Sequence, residues 1–74
     1  MSDDAKELLL GLAKHPRAKD GAELKYSKDP SQKRAEISAV DELIQLGYVL
    51  KTGSAIGFVI LAMTPAGETA VSEI

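Results

Sequence analysis

The side chains best suited to chemistry in this sequence are cations, and they are concentrated in one stretch. Between positions 14 and 34, seven lysine and arginine residues stand against three acidic ones, which gives this segment a charge of +4. The residues before it carry −2, those after it carry −4, and the whole chain carries −2. Clustered basic charge is the electrostatic footprint of phosphate binding, and it is equally compatible with an ordinary solvated surface.

The residue types that support catalysis or metal binding are scarce. The chain has no cysteine and a single imidazole, His15, which no cluster of carboxylates accompanies. At the end of a helix, His15 is better suited to stabilising the helix dipole. Two pairs of acidic residues are adjacent in the sequence, Asp3 with Asp4 and Asp41 with Glu42. Neighbouring residues point in different directions on a helix, so neither pair is suited to act as a catalytic acid and base. We expect no enzyme activity, no cofactor and no metal site.

Length and hydropathy limit the architecture. The 74 residues predict a single domain, residues 1–74. A chain of this size buries only about 60% of the surface that its unfolded form exposes, so we expect no deep active-site cleft. The longest apolar run, Phe58 to Met63, has six residues, whereas a membrane-spanning helix needs about 20. The first residues are acidic where a secretory signal is basic, and we expect a cytoplasmic protein.

The first half of the chain contains one clear helix and one ambiguous segment. Ser2 is a suitable N-cap for a helix over residues 3–14, which Pro16 ends. The letters DGAE, residues 20–23, have the spacing of a capping box and predict a short helix over residues 21–26. The letters ELKYS, residues 23–27, are also consistent with a strand.

The strongest start signal is DPSQ, residues 29–32. It combines an Asp N-cap, a proline at the first helical position and a glutamine that completes a capping box. The helix should run over residues 30–46 and stop at Gly47, which adopts the left-handed conformation at little cost. Its predicted buried stripe consists of Ile37, Val40, Leu43 and Ile44. The opposite face carries Ser31, Arg34, Ala35, Ser38, Glu42 and Gln45.

A hairpin and a final helix complete the predicted elements. Residues 48–52 and 58–64 are rich in β-branched and aromatic side chains and predict two strands joined by GSAIG. Thr64 is then an N-cap, with Pro65 at the first position of a helix that runs toward Ser72.

This order of elements resembles the winged helix-turn-helix fold of bacterial transcription regulators. Two motifs carry the resemblance: VDELIQLGYV, residues 40–49, and LAMTPAGETAV, residues 61–71. In that family, Leu-x-x-x-Gly followed by an aromatic or aliphatic residue and Val leads into the wing, which ends in Leu-Thr-Pro-x-Gly. Here Ala62 and Met63 interrupt the second pattern. The resemblance spans residues 5–71 and implies an α+β fold with three N-terminal helices, a β-hairpin wing and a short C-terminal helix.

The resemblance also implies a function, which is DNA binding in transcription regulation. Helix 30–46 would enter the major groove of duplex DNA with its N-terminal end first. Arg34 is the residue there that can make a bidentate contact to a guanine edge. The residues implied to face base edges are Ser31, Arg34, Ala35 and Ser38. The residues implied to contact the phosphate backbone are Lys25, Lys28, Gln32, Lys33 and Lys51.

Two features leave alternatives open. The run at residues 58–63 does not alternate, as an antiparallel strand with one solvated face does. One explanation is a homodimer through residues 58–63 and the C-terminal helix, which suits a palindromic DNA site. The other is that terminal segments of the same chain cover the strand. The acidic residues Glu36, Asp41 and Glu42 also fit a winged-helix module that binds another protein and no DNA.

Overall fold

A computed structural model describes residues 1–74 as three helices and one three-stranded sheet. In chain order the elements are α1 (Asp3–Ala13), β1 (Ala22–Lys25), α2 (Pro30–Gln45), β2 (Val49–Ala55), β3 (Phe58–Met63) and α3 (Pro65–Glu73). The sheet is antiparallel, with the strand order β1-β3-β2. None of the helices is both long and apolar enough to cross a membrane. This α+β layout is compatible with a winged-helix arrangement in which the β2–β3 hairpin is the wing.

The capping residues that the sequence predicts set the boundaries of α1 and α2. The Ser2 side chain accepts a hydrogen bond from the amide of Ala5 at 3.2 Å, and the Asp29 side chain accepts one from the amide of Ser31 at 3.1 Å. After the end of α2, Gly47 has a φ of 77°, the left-handed conformation that favours glycine. The prediction of these two helices is therefore confirmed to within one residue at their ends.

The short helix predicted over residues 21–26 is wrong, and the alternative of a strand is right. β1 pairs with β3 over four positions, from Ala22 opposite Leu61 to Lys25 opposite Phe58. Pairing with a central strand outweighs a local capping signal, because so short a helix has little stability of its own. The predicted three N-terminal helices are therefore two, and the turn expected between two helices connects β1 to α2.

The core lies where α1, α2 and the sheet meet. Its largest fully buried side chains are Leu9, Leu43, Val49, Val59 and Leu61. The predicted buried stripe of α2 is wrong at one position, because Ile37 is exposed and Ala39 is buried instead. The reason is that α2 packs on α1, so the buried face of α2 includes Ala39 and leaves Ile37 at its exposed border.

The six-residue apolar run forms the central strand of the sheet. β3 is hydrogen-bonded to β1 on one side and to β2 on the other, so both of its edges are occupied. Val59, Leu61 and Met63 belong to the core, and Ala62 is also buried. Burial within one chain is therefore sufficient to explain most of the run. The homodimer through residues 58–63 and the C-terminal helix stays a prediction.

The wing is longer than predicted and its turn is tighter. β2 extends to Ala55, so only Ile56 and Gly57 form the turn. A φ of 92° at Gly57 is the conformation that this position of a tight turn requires of glycine. Ile56 is fully exposed at the tip. A shift of register between Lys51 and Gly53 marks a bulge in β2.

The Thr-Pro-x-Gly motif fixes α3 against the start of β2. The Thr64 hydroxyl accepts a hydrogen bond from the amide of Gly67 at 3.1 Å and donates one to the carbonyl of Gly47 at 2.6 Å. A Cβ atom at position 67 would collide with the carbonyl oxygen of Tyr48. Only glycine allows this close approach of backbone to backbone.

Candidate nucleic-acid interface

Three of the five residues predicted to contact phosphate lie together. Lys25, Lys28 and Lys33 line a groove of about 460 Å³ between the wing and the start of α2. The other residues that line it are Tyr26, Ser27, Ile56, Gly57 and Phe58. We term this the basic groove. Because no acidic residue lines it, the groove has the charge that attracts a phosphate group.

Hydrogen bonds hold the wing and the lysine-bearing loop in place. The amide of Tyr26 donates to the carbonyl of Gly57 at 2.9 Å, which extends the β1–β3 pairing into the turn of the wing. The amide of Ser27 donates to the carboxylate of Glu36 at 2.7 Å. The hydroxyl of Ser27 accepts a bond from the amide of Asp29 at 3.1 Å. The loop that carries Lys28 is therefore hydrogen-bonded to the wing through Tyr26 and to α2 through Ser27.

The residues predicted to read bases form one exposed face of α2. Ser31, Arg34, Ala35 and Ser38 recur at helical spacing and are all exposed. We term them the reading face. The Nε atom of Arg34 donates to the carbonyl of Pro30 at 3.4 Å, so the side chain extends toward the start of the helix. Its terminal nitrogens stay available for a bidentate contact.

A second groove, with the opposite charge, lies between α1 and α2. We term it the acidic groove, and the residues that line it are Asp4, Glu7, Leu8, Gln32, Ala35, Glu36 and Ala39. Gln32, predicted to contact phosphate, and Ala35 of the reading face therefore lie on this side of α2 and not beside the lysines. A phosphate group next to Gln32 would also approach the carboxylates of Asp4 and Glu7, which repel it.

The remaining cations of the basic segment lie elsewhere. The Nζ atom of Lys19 pairs with the Oε1 atom of Glu68 in α3 at 3.1 Å. The segment that carries Lys19 is hydrogen-bonded to Met63, at the end of β3 far from the wing turn. Lys51, also predicted to contact phosphate, is exposed on β2 outside the basic groove. The basic segment is thus divided between the two ends of the sheet, and its lysines from Lys25 onward lie at the wing turn and the start of α2.

Tyr26 contributes a neutral phenol to the basic groove. Partial burial is the main effect that raises the pKa of Tyr26 above its ordinary value of 10.0, followed by the negative charges of Asp41 and Glu36. Both effects favour the protonated form. The phenol is therefore a hydrogen-bond donor at neutral pH, suited to a phosphate oxygen.

Two of the three acidic residues of α2 are engaged within the chain. Glu36 accepts the amide of Ser27 as described. Glu42 accepts the amide of Ser2 at 2.7 Å, and this hydrogen bond holds the pKa of the Glu42 carboxyl below its ordinary value of 4.5. Both carboxylates therefore serve as hydrogen-bond acceptors that connect α2 to other parts of the chain.

Sequence reasoning missed the aromatic and wing residues of the basic groove. Tyr26 and Phe58 reach it because β1 pairs with β3 up to the wing turn. The available signal was the alternation of AELK, residues 22–25, in which apolar and polar residues alternate as in a half-buried strand.

Comparison of the chain with protein-family models, with curated proteins and with solved structures finds no match in any of the three. No group of three or more histidine, cysteine or acidic side chains is close enough together to hold a metal ion. The geometry of the two grooves and of the reading face is therefore the basis for inferring a function.

Proposed function

We propose that this chain is a winged-helix-like protein that binds duplex DNA through the basic groove and the reading face of α2. The observation that carries the proposal is the convergence of Lys25, Lys28 and Lys33 on one groove at the start of α2. These residues come from a strand, a loop and a helix, yet they line one groove at the start of the helix that the resemblance assigns to base contacts.

The division of labour follows from ordinary protein–DNA chemistry. Phosphate contacts fix the position of the protein, and contacts to base edges give specificity. The lysines and the phenol of Tyr26 would bind phosphates between the wing turn and α2. Arg34 lies on the next exposed turn, where a guanidinium can bind a guanine edge in the major groove.

The proposed role is transcription regulation in the cytoplasm. The chain would act by occupying its site on DNA, with no enzymatic step and no cofactor. A second role is favoured by the acidic groove: a protein-binding module that accepts a basic segment of another protein between α1 and α2. Binding of duplex DNA at low salt separates the first role from the second.

The test is the affinity for a labelled mixed-sequence duplex at two salt concentrations. We expect binding that weakens steeply with salt, because released counterions drive it. Lys28→Ala should reduce the slope of log affinity against log salt by about 1, and Arg34→Ala should also weaken binding. Lys14→Ala is the matched control, since this lysine belongs to the same segment but lies outside the groove. Absence of binding at low salt would exclude the proposal.

A further inference from the structure

β1 is an edge strand whose outer side is open. The amide of Tyr26 donates to the carbonyl of Gly57, and in an antiparallel pair every second residue faces the same partner. Residues 22 and 24 therefore bond to β3 as well, while the N–H and C=O groups of Glu23 and Lys25 point away from it. Neither of these two amides donates to a loop or cap of the chain. Such an edge is a template for another strand.

The sequence of this edge is complementary to itself, and we propose that two copies of the chain pair antiparallel through β1. With the two-fold axis at Leu24, Glu23 of one protomer lies opposite Lys25 of the partner subunit, and the reverse. These are the residues whose backbone groups point outward, so each opposed pair exchanges two hydrogen bonds. Their side chains are exposed and opposite in charge, the arrangement that stabilises cross-strand neighbours. The two sheets join into one of six strands.

The surface beside this edge is also incomplete in a single chain. An apolar groove of about 220 Å³ lies between α1 and β1, lined in part by Leu8, Leu12 and Leu24. In the dimer, Leu24 faces Leu24 of the partner subunit, and the two grooves meet across the axis. Apolar surface that is exposed in one chain is then removed from water.

Gly11 supports a second copy as the occupant of this groove. A Cβ atom at Gly11 would meet nothing within 4 Å, so packing within the chain does not require a glycine that weakens α1. A glycine on this surface lets two α1 helices approach closely. Glu7 and His15 also line the groove and lie four positions before and after Gly11. Two antiparallel α1 helices that cross at Gly11 place Glu7 opposite His15 of the partner subunit.

This dimer surface differs from the one that the apolar run predicts, and it does not depend on DNA binding. It uses the outer edge of β1, whereas both edges of β3 are occupied. Lys25 contributes to both surfaces. In the dimer it faces Glu23 of the partner subunit, which leaves Lys28 and Lys33 as the main phosphate contacts.

Charge reversal tests the pairing. The mass of the full chain, measured by sedimentation equilibrium up to about 1 mM, should show a dimer, since weak complexes fall in this range of Kd. Glu23→Lys and Lys25→Glu should each weaken dimerisation about tenfold or more, because like charges then face each other twice. The double variant restores opposite charges and should dimerise like the parent. Both side chains are exposed, so the fold is unaffected, which circular dichroism checks.

Two results would overturn the proposal. One is a parent chain that stays monomeric over the whole range. The other is a dimer that neither single reversal weakens, which would place the interface elsewhere, for example on residues 58–63.

Disulfide trapping locates the axis directly, because the chain has no cysteine of its own. Residues opposed across a non-hydrogen-bonded antiparallel pair have Cα atoms about 4.5 Å apart, within the range of a disulfide. Leu24→Cys should therefore give a covalent dimer under mild oxidation. Ile56→Cys, at the exposed wing tip, should stay largely monomeric at the same concentration. Equal cross-linking of the two variants, or none in Leu24→Cys, would contradict an axis at Leu24.

Discussion

The two sides of α2 are exposed to opposite charge. On the side of the wing lie the three lysines of the basic groove, and on the side of α1 lie Asp4 and Glu7 of the acidic groove. The helix between them supplies residues to both. The net charge of −2 therefore says little about which ligands this chain attracts, because the local field depends on which element packs beside each side of α2.

The same difference sets the direction from which DNA would approach. A phosphate backbone is attracted along the wing side and repelled along the α1 side, so the reading face should be tilted toward the wing. Glu36 links the two sides, since it lines the acidic groove while its carboxylate binds the amide of Ser27 in the loop of the basic groove.

Reversing the charge of the basic groove should have the largest effect. Lys28→Glu combined with Lys33→Glu removes two of the proposed phosphate contacts, and we expect affinity for duplex DNA at 50 mM salt to fall on the order of 100-fold. Fluorescence anisotropy with a labelled duplex measures this. Lys14→Glu combined with Arg17→Glu changes the net charge equally at the other end of the basic segment. Equal losses in the two double variants would mean that overall charge, and not the groove, controls binding.

Removing the Glu36 carboxylate, which connects α2 to the loop of the basic groove, should lower the stability of the fold. Glu36→Ala leaves the amide of Ser27 without its carboxylate acceptor, and we expect a loss of about 1.5 kcal/mol in the free energy of unfolding, as for other hydrogen bonds to charged groups. Urea titration measures it. Glu36→Gln retains an acceptor oxygen and should lose less. A stability of Glu36→Ala equal to that of the parent would show that this bond does not hold the loop.

Removing a negative charge from the acidic groove should raise the affinity for DNA, by a smaller factor than reversing the basic groove lowers it. Asp4→Asn removes one repulsive charge, and we expect affinity to rise about two- to threefold at low salt, with little change at high salt where screening dominates. Glu73→Gln makes the same change in net charge at the end of α3. If the affinity for DNA rises equally in both variants, the position of Asp4 beside α2 has no specific effect on binding.

The bond between Ser2 and Glu42 should give a small dependence of stability on pH. Because the hydrogen bond lowers the pKa of the folded-state carboxyl, its contribution is present above the ordinary value of 4.5 and is lost as the pH falls through the lowered pKa. Thermal unfolding between neutral and acidic pH compares the parent with Glu42→Gln. The difference in unfolding temperature between the parent and Glu42→Gln should shrink in acid. A difference that stays constant with pH would mean that the carboxylate charge does not contribute to stability.

Local signals were sufficient to predict much of the fold. Ser2, Asp29 and Thr64 act as N-caps where the sequence indicates them, because a capping side chain bonds to amides only two or three residues away. The hairpin and the start of α3 followed from the same kind of short-range reasoning. The short helix failed because the partner of residues 22–25 is β3, more than thirty positions along the chain.

The candidate site was predictable only in part, for the same reason. The exposure of Ser31, Arg34, Ala35 and Ser38 follows from helical periodicity alone. Neither the meeting of Lys25 and Lys28 with the wing turn nor the position of Gln32 beside Asp4 could be read from spacing. Both depend on which elements become neighbours in the folded chain. The strand order β1-β3-β2 brings the lysines to the wing turn.

The most direct test of the account is to map, by NMR, which backbone amides respond to a mixed-sequence duplex at low salt. Binding along the wing side predicts shifts concentrated in residues 25–34 and in Ile56 and Gly57, with the amides of residues 4–8 little changed. Shifts centred on residues 4–8, or a spectrum that the duplex leaves unaltered, would contradict the claim that the basic groove and the reading face form a DNA-binding surface.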